Sequence, residues 1–286
     1  MTKLLILDFD GTMTDAEAEG APYRVGYLED LALLADRPLD EVTAWAEEFS
    51  SEVNQNPQEY GWKFGGQIVA PAGVDPYLRV MPIARMILDR ANAFTNSDER
   101  DRILDRILYK YNYKKTVTAF RDGAKEFLLA CHPGSGLTTY IVTNSHTEPV
   151  QGKVEQLGAL PDGSNQLDWL IPRVHGSAKK YIIDQDFNDA PAHLNLPGLE
   201  RPILLRRKDY YEVLDALRSK VGVQWSDVIV LGDIFELDLC LPFQLGARVG
   251  LMKTEFSPKY EVDFLDTHER GATFFTLAEA AAWLKD

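Results

Sequence analysis

The chain has little cysteine: two residues in 286, Cys131 and Cys240. One lies in Ala130-Cys131-His132 and the other in Asp238-Leu239-Cys240-Leu241, and neither spacing suits a metal. Both read as buried reduced thiols. Basic residues are also scarce, 30 Lys and Arg against 44 Asp and Glu, for a net charge of −14. That balance argues against a surface for the phosphate backbone of a nucleic acid, which needs clustered Lys and Arg. A small phosphate ester stays compatible with it if a divalent cation sits nearby. Long hydrophobic runs are missing: Leu4-Leu5-Ile6-Leu7 ends at a carboxylate after four residues, with Lys3 before it. No signal peptide or membrane span is visible, which predicts a cytoplasmic protein with no membrane partner. What remains is 45% hydrophobic and 26% charged, an ordinary globular composition.

Leu4–Leu7 has the pattern of a strand buried on both faces, and it delivers Asp8 and Asp10 at its carboxyl end, where open α/β sheets bind ligands. Two residues apart, these carboxylates would share a face on a regular strand, and Gly11 permits a sharp exit. From Glu17 to Tyr113 the chain reads as successive helices. Tyr27, Leu28, Leu31 and Leu34 fit one helical face, as do Val42, Trp45, Ala46 and Phe49, and then Val80, Ala84, Ile87, Leu88 and Ala91. Asn96-Ser97-Asp98-Glu99 reads as the cap of a fourth helix carrying Ile103, Leu104, Ile107, Leu108 and Tyr111. Strand and helix alternate again after Thr116, with strands expected at 139–142, 203–205, 228–231 and 248–251. The expected fold is α/β: a Rossmann-like parallel sheet with helices on both faces, formed by residues 1–15 and 117–286. An all-α cap domain, residues 16–116, is inserted after the first strand, an arrangement suited to a lid.

Three further stretches carry chemistry. Tyr140-Ile141-Val142-Thr143-Asn144-Ser145 is a buried-type strand ending in a hydroxyl and free backbone N–H groups, which can grip an anionic oxygen. Leu205-Arg206-Arg207-Lys208 places a cation after a strand. Val228–Leu231 ends in Gly232-Asp233, with Asp238 five residues later. Carboxylates meeting at the edge that also holds Asp8 and Asp10 would repel unless a hard cation such as Mg²⁺ joined them.

These four stretches, in this order and spacing, resemble the haloacid dehalogenase-like hydrolase superfamily, and the helical insertion resembles its cap. The resemblance implies that Asp8 is a nucleophile forming an aspartyl-phosphate, and that Asp10 protonates the leaving oxygen and then deprotonates water. It implies that Thr143 and the backbone N–H of Asn144 hold the phosphoryl group and that Lys208 neutralises it. Mg²⁺ would be held by Asp8, the Asp10 carbonyl and Asp233, with Asp238 in support. Lys208 fits the family spacing to Gly232; Arg207 is its rival, and Lys179 and Lys180 are a more distant third choice. Lys208-Asp209 replaces the usual Lys-Pro, and Ile234 and Leu237 replace more polar residues.

The expected activity is a Mg²⁺-dependent phosphatase on a small soluble phosphomonoester. A sugar phosphomutase, sharing the aspartyl-phosphate step, and a non-catalytic phosphometabolite-binding protein are the alternatives. Asp10 disfavours dehalogenation, since a departing halide needs no proton. Tyr60–Gln67, with three glycines, reads either as a loop touching substrate through Trp62 or Lys63 or as an ordinary linker around a packed Trp. Arg24, Tyr23 and Arg79 are further cap candidates. Residues 158–202 read as a strand near 169–175 followed by a polar, proline-bearing surface excursion suited to self-association. The oligomeric state is left open.

Overall fold

The computed structural model describes residues 3–111 and 117–285. The expected cap boundary at 116, and Tyr113 at the end of the helical block, lie outside the described residues. In chain order the elements are β1 (Lys3–Leu7), α1 (Ala16–Ala35), α2 (Leu39–Gln55), β2 (Gly61–Phe64), β3 (Gln67–Pro71), α3 (Pro76–Arg90) and α4 (Ser97–Tyr111). Then come α5 (Ala124–Ala130), β4 (Leu137–Val142), α6 (Thr147–Gly158), β5 (Val174–His175), β6 (His193–Leu194), β7 (Ile203–Leu204) and α7 (Lys208–Val221). The chain ends with β8 (Val228–Gly232), a π-helical turn (Phe235–Leu239), α8 (Cys240–Leu245), β9 (Arg248–Met252), α9 (Lys259–Asp266), β10 (Gly271–Phe274) and α10 (Leu277–Trp283). None of the described helices is long and apolar enough to cross a membrane.

Six strands form one parallel sheet in the order β10-β9-β8-β1-β4-β5, with β1 in the middle. Its unbroken apolar runs follow from burial on both faces. Side chains alternate across the sheet, so Leu4, Ile6, Val228 and Val230 join one core layer, with Leu214 and Leu217 of α7. Leu5, Leu7, Ile229 and Leu231 join the opposite layer, with Phe127 of α5 and Val150 and Val154 of α6. The parallel register brings the carboxyl ends of β1, β4 and β8 to one edge.

The described residues form two compact units, Met1–Asp15 with Lys63–Ala70 and Phe120–Asp286, and Ala16–Trp62 with Pro71–Ala119. The second unit is helical, built on Tyr23, Tyr27, Leu31, Val42, Phe49, Val53, Ile87 and Leu88. Asn96 caps α4 through its side chain, accepting the Glu99 N–H at 3.0 Å. The insertion is not all-α, however. Its Tyr60–Gln67 stretch is the start of a β2–β3 hairpin, turned at Gly65 and Gly66 with φ of 58° and 80°. Two successive positive φ values are what a tight two-residue hairpin needs, and the Gly-Gly pair supplies them. Residues 63–70 of that hairpin belong to the α/β unit.

Two other expectations change. Ile203–Leu204 does not enter the main sheet; it pairs antiparallel with His193–Leu194 in a separate ribbon. The strand expected near 169–175 shortens to Val174–His175 at the sheet edge. The 158–202 segment is no surface excursion either. Ala178, Phe187, Ala190, Leu196 and Leu199 are buried in the core layer that also holds Leu4 and Ile6. Its apolar residues are spaced singly among polar ones and prolines, so no periodicity announces their burial.

Candidate active site

β1 ends at Leu7, and the Asp8 N–H continues its ladder one step further, donating to the Leu231 carbonyl of β8 at 2.8 Å. The chain then turns sharply. Gly11 sits at φ 82°, its N–H donates to Thr14 Oγ1 at 3.0 Å, and the Met13 N–H closes onto the Phe9 carbonyl at 2.7 Å. Arg121 pins this turn, its Nε and Nη2 donating to the Gly11 carbonyl at 2.9 and 2.8 Å. A Cβ on Gly11 would stand 2.0 Å from Asp233 Oδ2, so glycine is required both for the conformation and for the space Asp233 fills. Because the strand stops before Asp8, the two-residue spacing does not govern where the carboxylates go, and Asp8 and Asp10 take separate partners.

Asp8 is buried against a lysine. Lys180 Nζ donates to Asp8 Oδ1 and to Asp238 Oδ1, both at 2.7 Å, from a side chain only 1% exposed. The other oxygen of Asp238 accepts the Ile234 N–H at 3.0 Å, and Thr12 Oγ1 lies 3.3 Å from Asp8 Oδ2 and 3.3 Å from Asp233 Oδ1. Burial, with Asp238 adding to it, pushes the Asp8 carboxyl above the usual range, against the pull of Lys180. Burial pushes Lys180 down, but Asp238 and Asp8 outweigh it and hold the ammonium well above the ordinary lysine value. Tyr210 completes the support: its ring centroid is 5.4 Å from Lys180 Nζ, and its hydroxyl donates to the Asp238 carbonyl at 2.8 Å.

Asp10 is held on different terms. Ser145 Oγ donates to its Oδ2 and Lys153 Nζ to its Oδ1, each at 2.6 Å. Asp10 is about one-third exposed, whereas the Asp8 side chain is 9% exposed. Thr143 is buried at the end of β4, its N–H donating to the His175 carbonyl at 3.0 Å and its Oγ1 accepting the Ser145 N–H at 3.2 Å. Asn144 turns its side chain to the lysine loop, Oδ1 accepting the Lys180 N–H at 2.8 Å.

Lys208 is not at this site. It opens α7, is half exposed, and pairs with Asp184 at 3.9 Å. Lys208 fits the family spacing to Gly232, but the strand before it, β7, lies outside the main sheet. The cation beside Asp8 is Lys180, from the loop after the two-residue edge strand β5. That loop carries Ser177 and Lys179 at φ 54° and 49°, a left-handed geometry unusual for non-glycine residues. The rival Arg207 is buried and bonded to main-chain carbonyls, with Lys180 O among them. Lys153, Arg121 and Tyr210 carry no sequence signal that separates them from ordinary polar residues, and Ser145 is marked only as the last residue of the 140–145 stretch. Only the Gly176–Lys180 stretch after Val174-His175 pointed toward Lys180.

Asp8, Asp233 and Asp238 offer oxygens that all lie within 4.8 Å of one another. Among the described residues, the Lys180 ammonium bridges two of these three largely buried carboxylates, and oxygen donors suit a hard divalent ion. Asp238 meets Lys180 and the Ile234 N–H, Asp8 meets Lys180 and Thr12, and Asp233 meets Thr12, so a metal would share these oxygens with protein donors. These residues fit Mg²⁺.

A search of curated protein sequences finds no match. Among solved structures, the chain resembles a conserved haloacid dehalogenase-like protein of unknown function from Agrobacterium tumefaciens str. C58, with 14% identity, TM-score 0.54, and 100% and 98% of the two chains covered. It also resembles a predicted phosphoglycolate phosphatase from Haemophilus somnus 129pt, with 15% identity, TM-score 0.53, and 99% and 98% covered. A 2-haloacid dehalogenase from Pseudomonas syringae pv. tomato DC3000 matches at 16% identity, TM-score 0.41, with 100% and 99% covered. At these identities the first two likenesses speak for the fold. The family model for haloacid dehalogenase-like hydrolases matches residues 2–239, which span β1, the insertion and the turn bearing Asp238. With that match over most of its length, the chain belongs to the haloacid dehalogenase-like hydrolases.

Proposed function

We propose that this hydrolase is a Mg²⁺-dependent phosphatase acting on a small soluble phosphomonoester through an aspartyl-phosphate. The observation that carries the reading is the division of labour between two carboxylates. Asp8 is buried, bonded to Lys180 and clustered with Asp233 and Asp238, whereas Asp10 is solvent-accessible and held by Ser145 and Lys153. Asp8 attacks phosphorus as the P–O bond to the leaving group breaks, and Asp10 gives its proton to the departing oxygen. Asp10 then takes a proton from water, which attacks the aspartyl-phosphate and releases phosphate with Asp8 restored. Lys180 stands where the phosphoryl charge would collect, and the Thr143 hydroxyl and the Asn144 main chain lie at the end of the neighbouring strand.

Asp8, Asp233 and the Asp10 carbonyl would hold the metal, with Asp238 behind them. Bound there, Mg²⁺ would neutralise charge on the transferring group and on Asp8. A proton donor at Asp10 favours an oxygen leaving group over a halide, which departs without a proton. The net charge of −14 fits a metal-masked small ester better than a nucleic acid.

Phosphate release from a panel of phosphomonoesters, with and without Mg²⁺, tests the reading on wild type and Asp8→Asn. Metal-dependent turnover that vanishes in Asp8→Asn is expected. Phosphoryl transfer between sugar positions without free phosphate would replace the phosphatase by a mutase. Halide release from a 2-haloacid, with no action on any ester, would overturn it.

A further inference from the structure

Arg207 is wholly buried, yet its guanidinium meets no carboxylate among the described residues. Its three nitrogens donate to three main-chain carbonyls: Nη1 to Lys180, Nε to Leu204 at 3.0 Å, and Nη2 to Val69 at 2.9 Å. A full positive charge buried without a counter-ion is costly, and a core side chain would be the cheaper filling. What the guanidinium alone supplies is a planar fork that can hold separate carbonyls in fixed relation.

Two of those carbonyls matter to the site. Lys180 O belongs to the residue whose ammonium bridges Asp8 and Asp238. Val69 O belongs to β3, buried in the part of the hairpin that packs within the α/β unit. The same hairpin meets the lysine loop twice more. The Phe64 ring stands edge-on to Tyr181, with centroids 4.8 Å apart, and Gln185 Nε2 reaches Gln67 Oε1 at 3.4 Å. The lysine loop needs such support, because Ser177 and Lys179 hold left-handed backbone on either side of Ala178.

We propose that Arg207 is a positioning residue that fixes Lys180 by its carbonyl and ties strand β3 to the same support, so that the hairpin and the Lys180 loop are ordered together. The hairpin is then part of the scaffold of the catalytic cation, beyond any contact its tip makes with substrate. Only the kinetic arm of the test rests on the phosphatase reading.

The test compares wild type with Arg207→Lys, Arg207→Met and Phe64→Ala, the last on an exposed ring. With a phosphomonoester and Mg²⁺, Arg207→Met should lose about 100-fold in kcat, the scale of a misplaced catalytic group. KM should stay within about 3-fold, because the loss falls on the transition state. Arg207→Lys should recover little, since an ammonium cannot span three carbonyls. Phe64→Ala should lower kcat in the same direction and by less. Amide hydrogen exchange, which needs no turnover, should rise together in residues 63–70 and 178–183 of each variant and stay unchanged in β9 and β10. Should both Arg207 variants fail to fold, Phe64→Ala alone decides by whether exchange at 178–183 follows the hairpin. Folded Arg207 variants with wild-type kcat, exchange rising in one segment only, or exchange rising throughout the protein would each overturn the proposal.

Discussion

At the scale of single residues, the cation beside Asp8 separates what spacing can reveal from what packing decides. Lys208 and Lys180 are both lysines after short strands, yet one is half exposed and the other 1% exposed between two carboxylates. Lys208→Ala should therefore leave phosphate release within about 2-fold and stability within about 0.5 kcal/mol, the usual range for a surface substitution. Lys180→Met should lower turnover by about 100-fold or more, the effect of removing one charge-stabilising donor. It should also destabilise the metal-free protein by about 3–5 kcal/mol, because Asp8 and Asp238 lose their shared counter-charge; steady-state kinetics and urea titration measure both. A second buried carboxylate gives a pH prediction away from the site. Glu261 is 1% exposed, its Oε2 finds no partner, and burial followed by the neighbouring Glu236 raises its pKa well above 4.5. Arg201 is committed to Glu236 through two bonds of 2.9 and 2.7 Å. With its folded pKa above the unfolded one, the native state keeps a proton that the unfolded chain releases, so stability falls as pH rises above 4.5. Glu261→Gln removes that dependence. Its stability relative to wild type should climb by about 1.4 kcal/mol per pH unit above the unfolded pKa until the native group itself titrates. Urea midpoints from pH 4.5 to 8 would show it; a constant difference would mean that Glu261 is not protonated in the fold.

At the scale of elements, the turn after β1 carries the sharpest expectation. Gly11→Ala combines a left-handed φ of 82° with a Cβ placed 2.0 Å from an Asp233 oxygen. The backbone alone should cost about 1–2 kcal/mol, and Asp233 must move away from Asp8 to admit the methyl group. The variant should fold with a lower melting temperature and lose its response to Mg²⁺, whereas an unchanged Mg²⁺ response would show that Asp233 is not a ligand. This turn was readable because it lies in five consecutive residues after an unbroken apolar strand. The helices α2, α3 and α4 were readable too, since each keeps its apolar residues on one stripe. The hairpin was not: β2 and β3 have four and five residues, two of them glycine or proline, and β3 meets Arg207, a residue distant in sequence. β5 has two residues and β7 has two, yet only β5 joins the main sheet. Their sequences, Val-His and Ile-Leu, point the other way on apolar content. The choice rests on how 176–202 folds over the core, which involves side chains that no local period marks. The lysine that follows β5 therefore stood only third among the candidate cations.

At the scale of the whole molecule, the site unites residues 8 to 12, 143 to 145, 180 and 233 to 238, so its geometry exists only when the parallel sheet is closed from both ends of the chain. An unfolded chain offers the same carboxylates scattered, with no common cation site. A metal that binds the assembled cluster must therefore stabilise the fold by linkage. At a free Mg²⁺ concentration 100 times its dissociation constant the gain should be about 2.7 kcal/mol. For a chain of this size that amounts to a rise of about 5 °C in melting temperature. Asp233→Asn should lose most of this rise while leaving the Lys180 bridge between Asp8 and Asp238 in place. Asp238→Asn differs in direction. It removes one of the two carboxylates that hold Lys180, so the metal-free protein itself should weaken, with whatever Mg²⁺ response survives set by Asp8 and Asp233. Thermal melts of the three proteins across a Mg²⁺ titration distinguish a ligand from a support. Equal melting curves with and without metal in wild type would remove Mg²⁺ from the site.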